Sequence, residues 1–403
     1  MGFPFKLPLL LDGATGTNLM KLGMPRDVCP EKWILDNPDA IVRLQKEYIN
    51  AGVQAIYAPT FGANRRRLRI YGLEDKVYDI NTRLVKLTKS IVDSKSILVG
   101  GSISQCGISI INGDNNAFDQ LIEVYREQIK AIKSAGADFI AAETMLGLAD
   151  MRACVLCAKE VGIPIFVTMP VNNAGYTSYN TKFISAAITL EAMGADAVGL
   201  NCCELTDEVV TLIEDVLPHV SIPIIIKPSI NNSSGLNINA FAETMKKLLY
   251  RGVSIIGGCC GTTPEHIKAL NEIVKDYKLN NAEYQVEADN MACTIDNEAF
   301  FIGDNIELTK PIRCSYDIEE DLINIEDERG NVILVEINSK DDALMLVNNS
   351  NVARMPICVR AHSADALEYI LRNFQGRLMV DTTTDIARDT LELISKKYGA
   401  IMY

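Results

Sequence analysis

The chain has 403 residues, too many for one average domain, which favours a barrel-sized unit of about 250 to 300 residues followed by a smaller one. With 48% hydrophobic and 6% aromatic residues it has ample material for a packed core, and a disordered chain is excluded. A net charge of -13 argues against nucleic acid and anionic membrane surfaces as partners, leaving small molecules and proteins.

The first apolar run, Leu7 to Leu11, follows a lone lysine, Lys6, and stops at Asp12, too short for a signal peptide. Nowhere are 18 apolar residues uninterrupted, so a cytoplasmic protein without a membrane span is expected. The eleven cysteines are odd in number and scattered, which favours reduced thiols over a disulfide framework. Further short apolar runs follow at Ala55 to Thr60, Ser96 to Ser102, Phe139 to Glu143, Ile163 to Met169, Ala197 to Asn201, Ile222 to Lys227 and Ser254 to Gly257. Between them lie segments of helical spacing: Ala40 to Ala51, Asn81 to Ser94, Phe118 to Ala135, Leu148 to Val161, Lys182 to Met193 and Ala240 to Arg251. Glycine closes several of these before the next run, at Gly52, Gly136, Gly194 and Gly252. Strand and helix alternating eight times predicts a (β/α)8 TIM barrel over residues 1–279.

In such barrels the chemistry sits at the carboxyl ends of the strands. The first run ends in Asp12-Gly13-Ala14-Thr15-Gly16-Thr17, the second in Thr60-Phe61-Gly62, the fourth in Glu143-Thr144, the sixth in Asn201-Cys202-Cys203 and the eighth in Gly258-Cys259-Cys260-Gly261. Neighbouring side chains on a strand face opposite ways, so Cys259 and Cys260 can meet one ion only where the strand ends and the backbone turns. A third thiol from the Cys202-Cys203 pair would complete an open zinc site; the competing reading is that these are ordinary buried cysteines. Asp12 and Glu143 could together meet the cationic α-amine of an amino-acid substrate. Alternatively Asp12 caps its turn and Glu143 pairs with a basic neighbour. Cys154 and Cys157 form C-x-x-C in a helical segment and read as core, and His266 with Thr263 reads as a helix cap.

Gly257-Gly258-Cys259-Cys260-Gly261-Thr262 with Thr263-Pro264-Glu265-His266 resembles the G-G-C-C-G-T-T-P-E-H signature of the homocysteine S-methyltransferase family, and the resemblance runs from residue 5 to about 275. It implies a TIM barrel holding Zn2+ on Cys202, Cys259 and Cys260, with Cys203 pointing elsewhere. It further implies that Asp12 (of D-G-A-x-G-T) and Glu143 (of E-T) bind the homocysteine amino group. Thr60 and Phe61 match the T-F of T-N-T-F-G-A-N, which puts Thr60 beside the substrate. No catalytic residue is implied beyond the zinc-activated substrate thiol. The chain departs from the family at Pro59 (usually Asn), at Ser104 in G-S-I-G-P-x-G, and at Ser229 with Asn231 and Asn232 in K-P-N-A-G. Methyl transfer to homocysteine, giving methionine, is the function implied. A different thiol acceptor, or a non-catalytic assembly subunit of a corrinoid methyltransferase system, are the alternatives.

Residues 280–297 are polar and read as a linker to a second unit over 298–403. Strand-like runs at Phe301 to Ile306, Val332 to Ile337, Met355 to Val359 and Arg377 to Val380 alternate with helical stretches at Asp341 to Asn348, Ala364 to Asn373 and Asp385 to Tyr398. This order resembles half of a pterin-binding barrel, whose strands end in G-E-R-I-N, D-I-N and D-S-S. Here those positions read Gly303-Asp304-Asn305-Ile306-Glu307, Glu336-Ile337-Asn338 and Arg360-Ala361-His362-Ser363, and with Arg360 at the acidic position folate binding is not expected. Bare strand edges predict packing on the barrel, on a second copy in a homo-oligomer, or on a partner. No D-x-H-x-x-G cobalamin motif occurs, so methylcobalamin, as donor, would arrive in trans on a separate corrinoid protein; a small S-methyl donor is the other choice.

Overall fold

The computed structural model describes residues 2–92, 97–108, 117–230, 237–277, 291–325 and 329–403. Eight parallel strands form the first unit: β1 (Leu9–Leu10), β2 (Ala55–Ala58), β3 (Leu98–Ile103), β4 (Phe139–Ala142), β5 (Ile165–Met169), β6 (Ala197–Glu204), β7 (Ile224–Ser229) and β8 (Ile255–Ile256). They are ordered β1-β8-β7-β6-β5-β4-β3-β2, the (β/α)8 barrel expected from the alternating runs. Helices such as Pro38–Ala51, Ala117–Ser134, Leu148–Val161 and Ile238–Tyr250 wrap the outside, because each strand is buried on both faces and needs apolar cover.

The seam between β1 and β2 is closed partly by side chains. Gln54 N donates to Leu10 O at 2.8 Å while the Gln54 side chain accepts from Leu10 N at 2.7 Å. One turn higher, the Asp12 carboxylate accepts from Tyr57 N at 2.8 Å. The barrel interior is filled by Leu9, Leu11, Tyr57, Phe139, Phe166 and Ile225, with Phe3 and Phe5 packed beneath. Phe139 and Phe166 stack at 4.5 Å, and a side chain at Gly100 would collide with the Phe139 ring, so that strand needs glycine there.

The second unit differs from the expected half barrel at its start. Residues 280–290 of the expected linker lie outside the described residues, and by Met291 the chain is already strand: β9 (Met291–Ile295) pairs antiparallel with β10 (Glu298–Ile302) across Asp296-Asn297. Asp and Asn both favour turns, and here they join two antiparallel strands, so the run expected at Phe301 to Ile306 begins in a hairpin arm and is not the first strand of a parallel sheet. The parallel sheet instead runs β11 (Ile312–Arg313), β12 (Ile333–Ile337), β13 (Ile357–Ala361), β15 (Met379–Val380) and β16 (Ile401–Met402), while β14 (Gly376–Arg377) leaves to pair with β9.

Of the three partners expected for this unit, the contact visible within one chain is with the barrel. Thr189 and Thr294 hydroxyls lie 2.6 Å apart, Ser185 donates to Ile295 O, and Lys182 N donates to Asp296 O at 3.0 Å. The fully buried Arg152 donates to Leu371 O at 2.6 Å and Arg372 O at 3.1 Å, carbonyls at the end of the helix Ala364–Asn373 that lack helical partners. Arg372 in turn pairs with Asp119 on the barrel. Among the described residues no helix is long and apolar enough to cross a membrane.

Candidate metal centre

Two strand ends bring the three thiols together. β6 shifts register against β7 between Asn201 and Glu204, and Cys202 takes a left-handed φ of 55°. Such an irregularity re-aims side chains, so Cys202 faces the mouth while Cys203 is buried. After β8 the backbone turns through Gly258 to Gly261. Gly258 N donates to Asp12 O, Cys259 N to Pro228 O, and the Thr262 hydroxyl to Cys259 O at 2.7 Å. Gly261 has a φ of 81° and its Cα lies against Ile230 O, where a side chain would sit 1.9 Å from that oxygen; only glycine fits.

Cys202 Sγ and Cys260 Sγ are 3.8 Å apart, and the sulfurs of Cys202, Cys259 and Cys260 all lie within 4.8 Å of one another. Tetrahedral coordination at a Zn–S bond of about 2.3 Å sets sulfurs about 3.8 Å apart, so this donor set suits zinc. Asn201 braces the group: its amide donates to Thr144 Oγ1 at 2.8 Å and approaches Cys259 Sγ at 3.8 Å, while Thr144 N donates to Asn201 Oδ1. Hydrogen bonds from Cys259 and Cys260 hold the Cys202 thiol well below its ordinary value, and the same shared protons push Cys259 and Cys260 up. Among the described residues this is the one cluster of three or more potential ligands.

The cysteines form one wall of a cavity of about 300 Å3, which is also lined by Asp12, Glu143 and Lys227. Asp12 and Lys227 form a buried ion pair, Oδ1 to Nζ at 3.2 Å, with both side chains 3% exposed. The Lys227 ammonium also lies 3.7 Å from the centre of the Tyr57 ring. Burial works against its charge, but Tyr57, Asp12 and Glu143 outweigh this and raise its pKa above the ordinary lysine value. Burial raises the Asp12 carboxyl, opposed by Lys227, and likewise raises Glu143. Glu143 Oε1 accepts from the Ser102 hydroxyl at 2.5 Å.

Thr60, expected beside the substrate, does not line this cavity. It is fully buried and its hydroxyl donates to Ser102 O at 2.7 Å, while Tyr57, Ala58, Pro59 and Phe61 form the cavity wall at that level. Thr60 therefore holds the strand that presents Ser102 to Glu143. Of the departures, Pro59 lines the cavity, Ser104 donates to Phe61 O, and Ser229 donates to Cys202; Asn231 and Asn232 lie outside the described residues. His266 closes a capping box with Thr263, as its position predicts.

Two members of the cavity escaped sequence reading. Lys227 ends an otherwise apolar run, and a lysine buried at such a strand end requires a counter-charge, which was the available signal. Glu31, on the short helix Pro30–Asp36, is a third buried carboxylate in the wall and accepts from Gly62 N at 2.6 Å. Nothing in its surroundings in sequence marks it.

Residues 9–274 match the family described as Homocysteine S-methyltransferase. Among curated proteins, the methionine synthases of Mycobacterium leprae and Mycobacterium tuberculosis are 26% and 25% identical over 285 and 302 residues, covering 64% and 68% of this chain. The aligned regions are 24% and 25% of those relatives, so the chain spans about a quarter of their length. Among solved structures, the homocysteine methyltransferase MmuM from Escherichia coli, in its oxidized and metallated forms, superposes with a TM-score of 0.57 at 22% identity, over 66% of this chain and 95% of that one. At that identity the likeness concerns the barrel fold.

Proposed function

The chain belongs to the homocysteine S-methyltransferase family, and from that premise we propose that its barrel transfers a methyl group to the thiol of homocysteine, giving methionine, with Zn2+ held by Cys202, Cys259 and Cys260. The observation that carries this reading is the gathering of those three sulfurs on one wall of a cavity that also holds Asp12 and Glu143. Bound there, a zinc ion would keep the substrate sulfur as a thiolate near neutral pH, where a free thiol of pKa about 8.5 is mostly protonated.

The protein's own groups do the rest. The carboxylate side of the cavity meets the α-ammonium and so fixes the direction in which the sulfur enters. Asn201 and Thr144 hold the ligand loops in register, and Met24, Ile34 and Phe61 give the cavity apolar lining that disfavours water. The methyl carbon then bonds to sulfur as its bond to the donor breaks, with that electron pair staying on the donor. Methylcobalamin on a separate corrinoid protein, or a small S-methyl compound, would supply it.

Zinc content per chain and methionine formation from homocysteine, assayed with methylcobalamin and with small S-methyl donors, test this. About one zinc per chain with turnover is expected, and removing the metal with a chelator should end turnover while leaving the melting curve of the second unit in place. A zinc-loaded protein that methylates no thiol would instead favour an assembly role.

A further inference from the structure

We propose that the second unit completes the barrel's active end: Asp296, in its hairpin turn, is a positioning residue that acts through Thr181 to hold the Glu143-Thr144 turn at the cavity wall. The assignment rests on the homocysteine reading above.

Thr144 is the reason such support is needed. It is β-branched and takes a left-handed φ of 58°, a strained conformation that persists only where the surroundings over-determine it. Glu143, before it, lines the cavity, and Thr144 itself exchanges two hydrogen bonds with Asn201, whose amide approaches Cys259 Sγ. Beyond Thr144 the chain runs through Met145 to Leu148, where the helix Leu148–Val161 begins. The cap position of that helix is Gly147, which has no side chain to take up a free N–H of the first turn. The barrel strands supply one bond to this stretch, from Met145 N to Thr168 O at 3.1 Å. The loop after β5 supplies two more: Leu148 N donates to Thr181 Oγ1 at 3.2 Å, and Thr177 Oγ1 donates to Leu146 O at 2.5 Å. Those two threonines are themselves joined, Thr181 N donating to Thr177 Oγ1 at 3.2 Å. Thr181 is fully buried, and its hydroxyl donates to Asp296 Oδ1 at 2.6 Å, so the carboxylate turns the hydroxyl's lone pairs toward Leu148. Lys182 N donates to Asp296 O at 3.0 Å, so backbone and side chain of one turn grip the loop together. The hairpin of the second unit is the outer anchor of a path that runs through Thr181 and Thr144 to the thiols.

The test compares Asp296→Ala, Asp296→Asn, Thr181→Val and the double variant Asp296→Ala/Thr181→Val in the full chain, with Thr189→Val as a control that breaks a junction bond off this path. The readouts are KM and kcat for homocysteine and, without turnover, the rate at which a chelator strips zinc. Asp296→Ala should raise KM on the order of tenfold with kcat changed less, because the cavity wall is misplaced and not removed. It should also speed zinc loss several-fold, since Asn201 loses a fixed partner. Asp296→Asn keeps an oxygen acceptor for Thr181 and should restore both readouts to within about twofold of the parent. Thr181→Val should match Asp296→Ala, and the double variant should be no worse than either change alone, because the two residues act in series. Thr189→Val should lower the denaturation midpoint while KM and zinc loss stay as in the parent. A folded Asp296→Ala protein with the parent's KM would overturn the assignment. So would an Asp296→Asn protein as impaired as Asp296→Ala, additive effects in the double variant, or a Thr189→Val protein with an equally raised KM, which would mean that any loosening of the junction suffices. Should Asp296→Ala fail to fold, Thr181→Val carries the same decision. If the unaltered chain methylates no homocysteine, the functional reading falls and zinc loss alone decides this assignment; an active parent whose variants all match it removes this assignment alone.

Discussion

At the carboxyl ends of the barrel strands, Asp12, Glu143 and Lys227 gather with three thiols around a cavity of about 300 Å3, whereas at the same end of the five-stranded sheet Arg313, Glu336, Arg360 and Asp381 pair with one another. Both ends belong to parallel sheets, and both place charge where such sheets bind ligands. The difference lies in balance and in strain. The second group has two cations against two anions, and Arg360 reaches Asp381 at 2.5 Å and Glu336 at 3.9 Å. The first group has an unmatched negative charge and a Cys202 and Thr144 with left-handed φ of 55° and 58°, a conformation that among the described residues of the second unit only glycines adopt. Unmatched charge and backbone strain together mark the barrel mouth as the end built for something external.

The sharpest way to break this comparison is to remove one thiol from each unit. Cys259→Ala is expected to lower kcat/KM roughly 1000-fold or more and to abolish zinc binding, with little change in melting temperature. Cys358→Ala, in the buried sheet of the second unit, should cost about 1 kcal/mol of stability and leave activity alone. An active, zinc-free Cys259→Ala protein would collapse the distinction between the two ends.

Next in size is the junction. Arg152→Met strips two carbonyls of the helix Ala364–Asn373 of their buried donor, and should cost about 3 kcal/mol in chemical denaturation with KM unchanged. Unfolding in one step with the parent's midpoint would mean that the units are not coupled through it. Smaller again is Arg360→Met, which leaves Asp381 buried without its cation, about 2 kcal/mol, again with no change in KM. A raised KM there would give the second sheet a ligand role after all.

These variants also separate what the sequence made legible from what it did not. Eight short apolar runs, with helices between them of which several end in glycine, specify a barrel because few other arrangements bury strands on both faces. The Cys259-Cys260 pair is legible because adjacent side chains converge only past a strand end. Asp12 is legible as a rim residue but not as a paired one, since its partner Lys227 is remote in sequence and sits in a run that reads as plain core. The Cys202 choice over Cys203 came from a motif, yet its physical cause is a register shift that no periodicity reveals. In the second unit the hairpin was hidden because its first arm follows a polar stretch and reads as linker, and the two-residue strands β11 and β16 are too short to leave a pattern. Arg152 is illegible in principle: an arginine on a helix reads as solvent-facing until another unit's helix end covers it.

The smallest effect concerns that same junction and depends on pH. Asp296, in the turn between β9 and β10, accepts from the Thr181 hydroxyl at 2.6 Å, and burial pushes its carboxyl up to about 6 from an ordinary 3.8. Between about pH 4 and 6 the unfolded chain has released this proton while the folded protein still holds it. Rising pH through that window therefore favours the unfolded state, and above 6 the loss is complete and constant. The side chain is partly exposed, so solvent screening reduces the penalty to about 1 kcal/mol. Asp296→Asn keeps an acceptor for Thr181 and has no proton to lose, so its stability should fall less than the parent's between pH 4 and 7. Denaturant midpoints at the two pH values, subtracted within each protein and then between them, isolate this one group from the other buried carboxylates. Identical pH dependence in both proteins would mean that the hairpin turn stays hydrated against the barrel, and that the junction is held by Arg152 and the threonine pair without it.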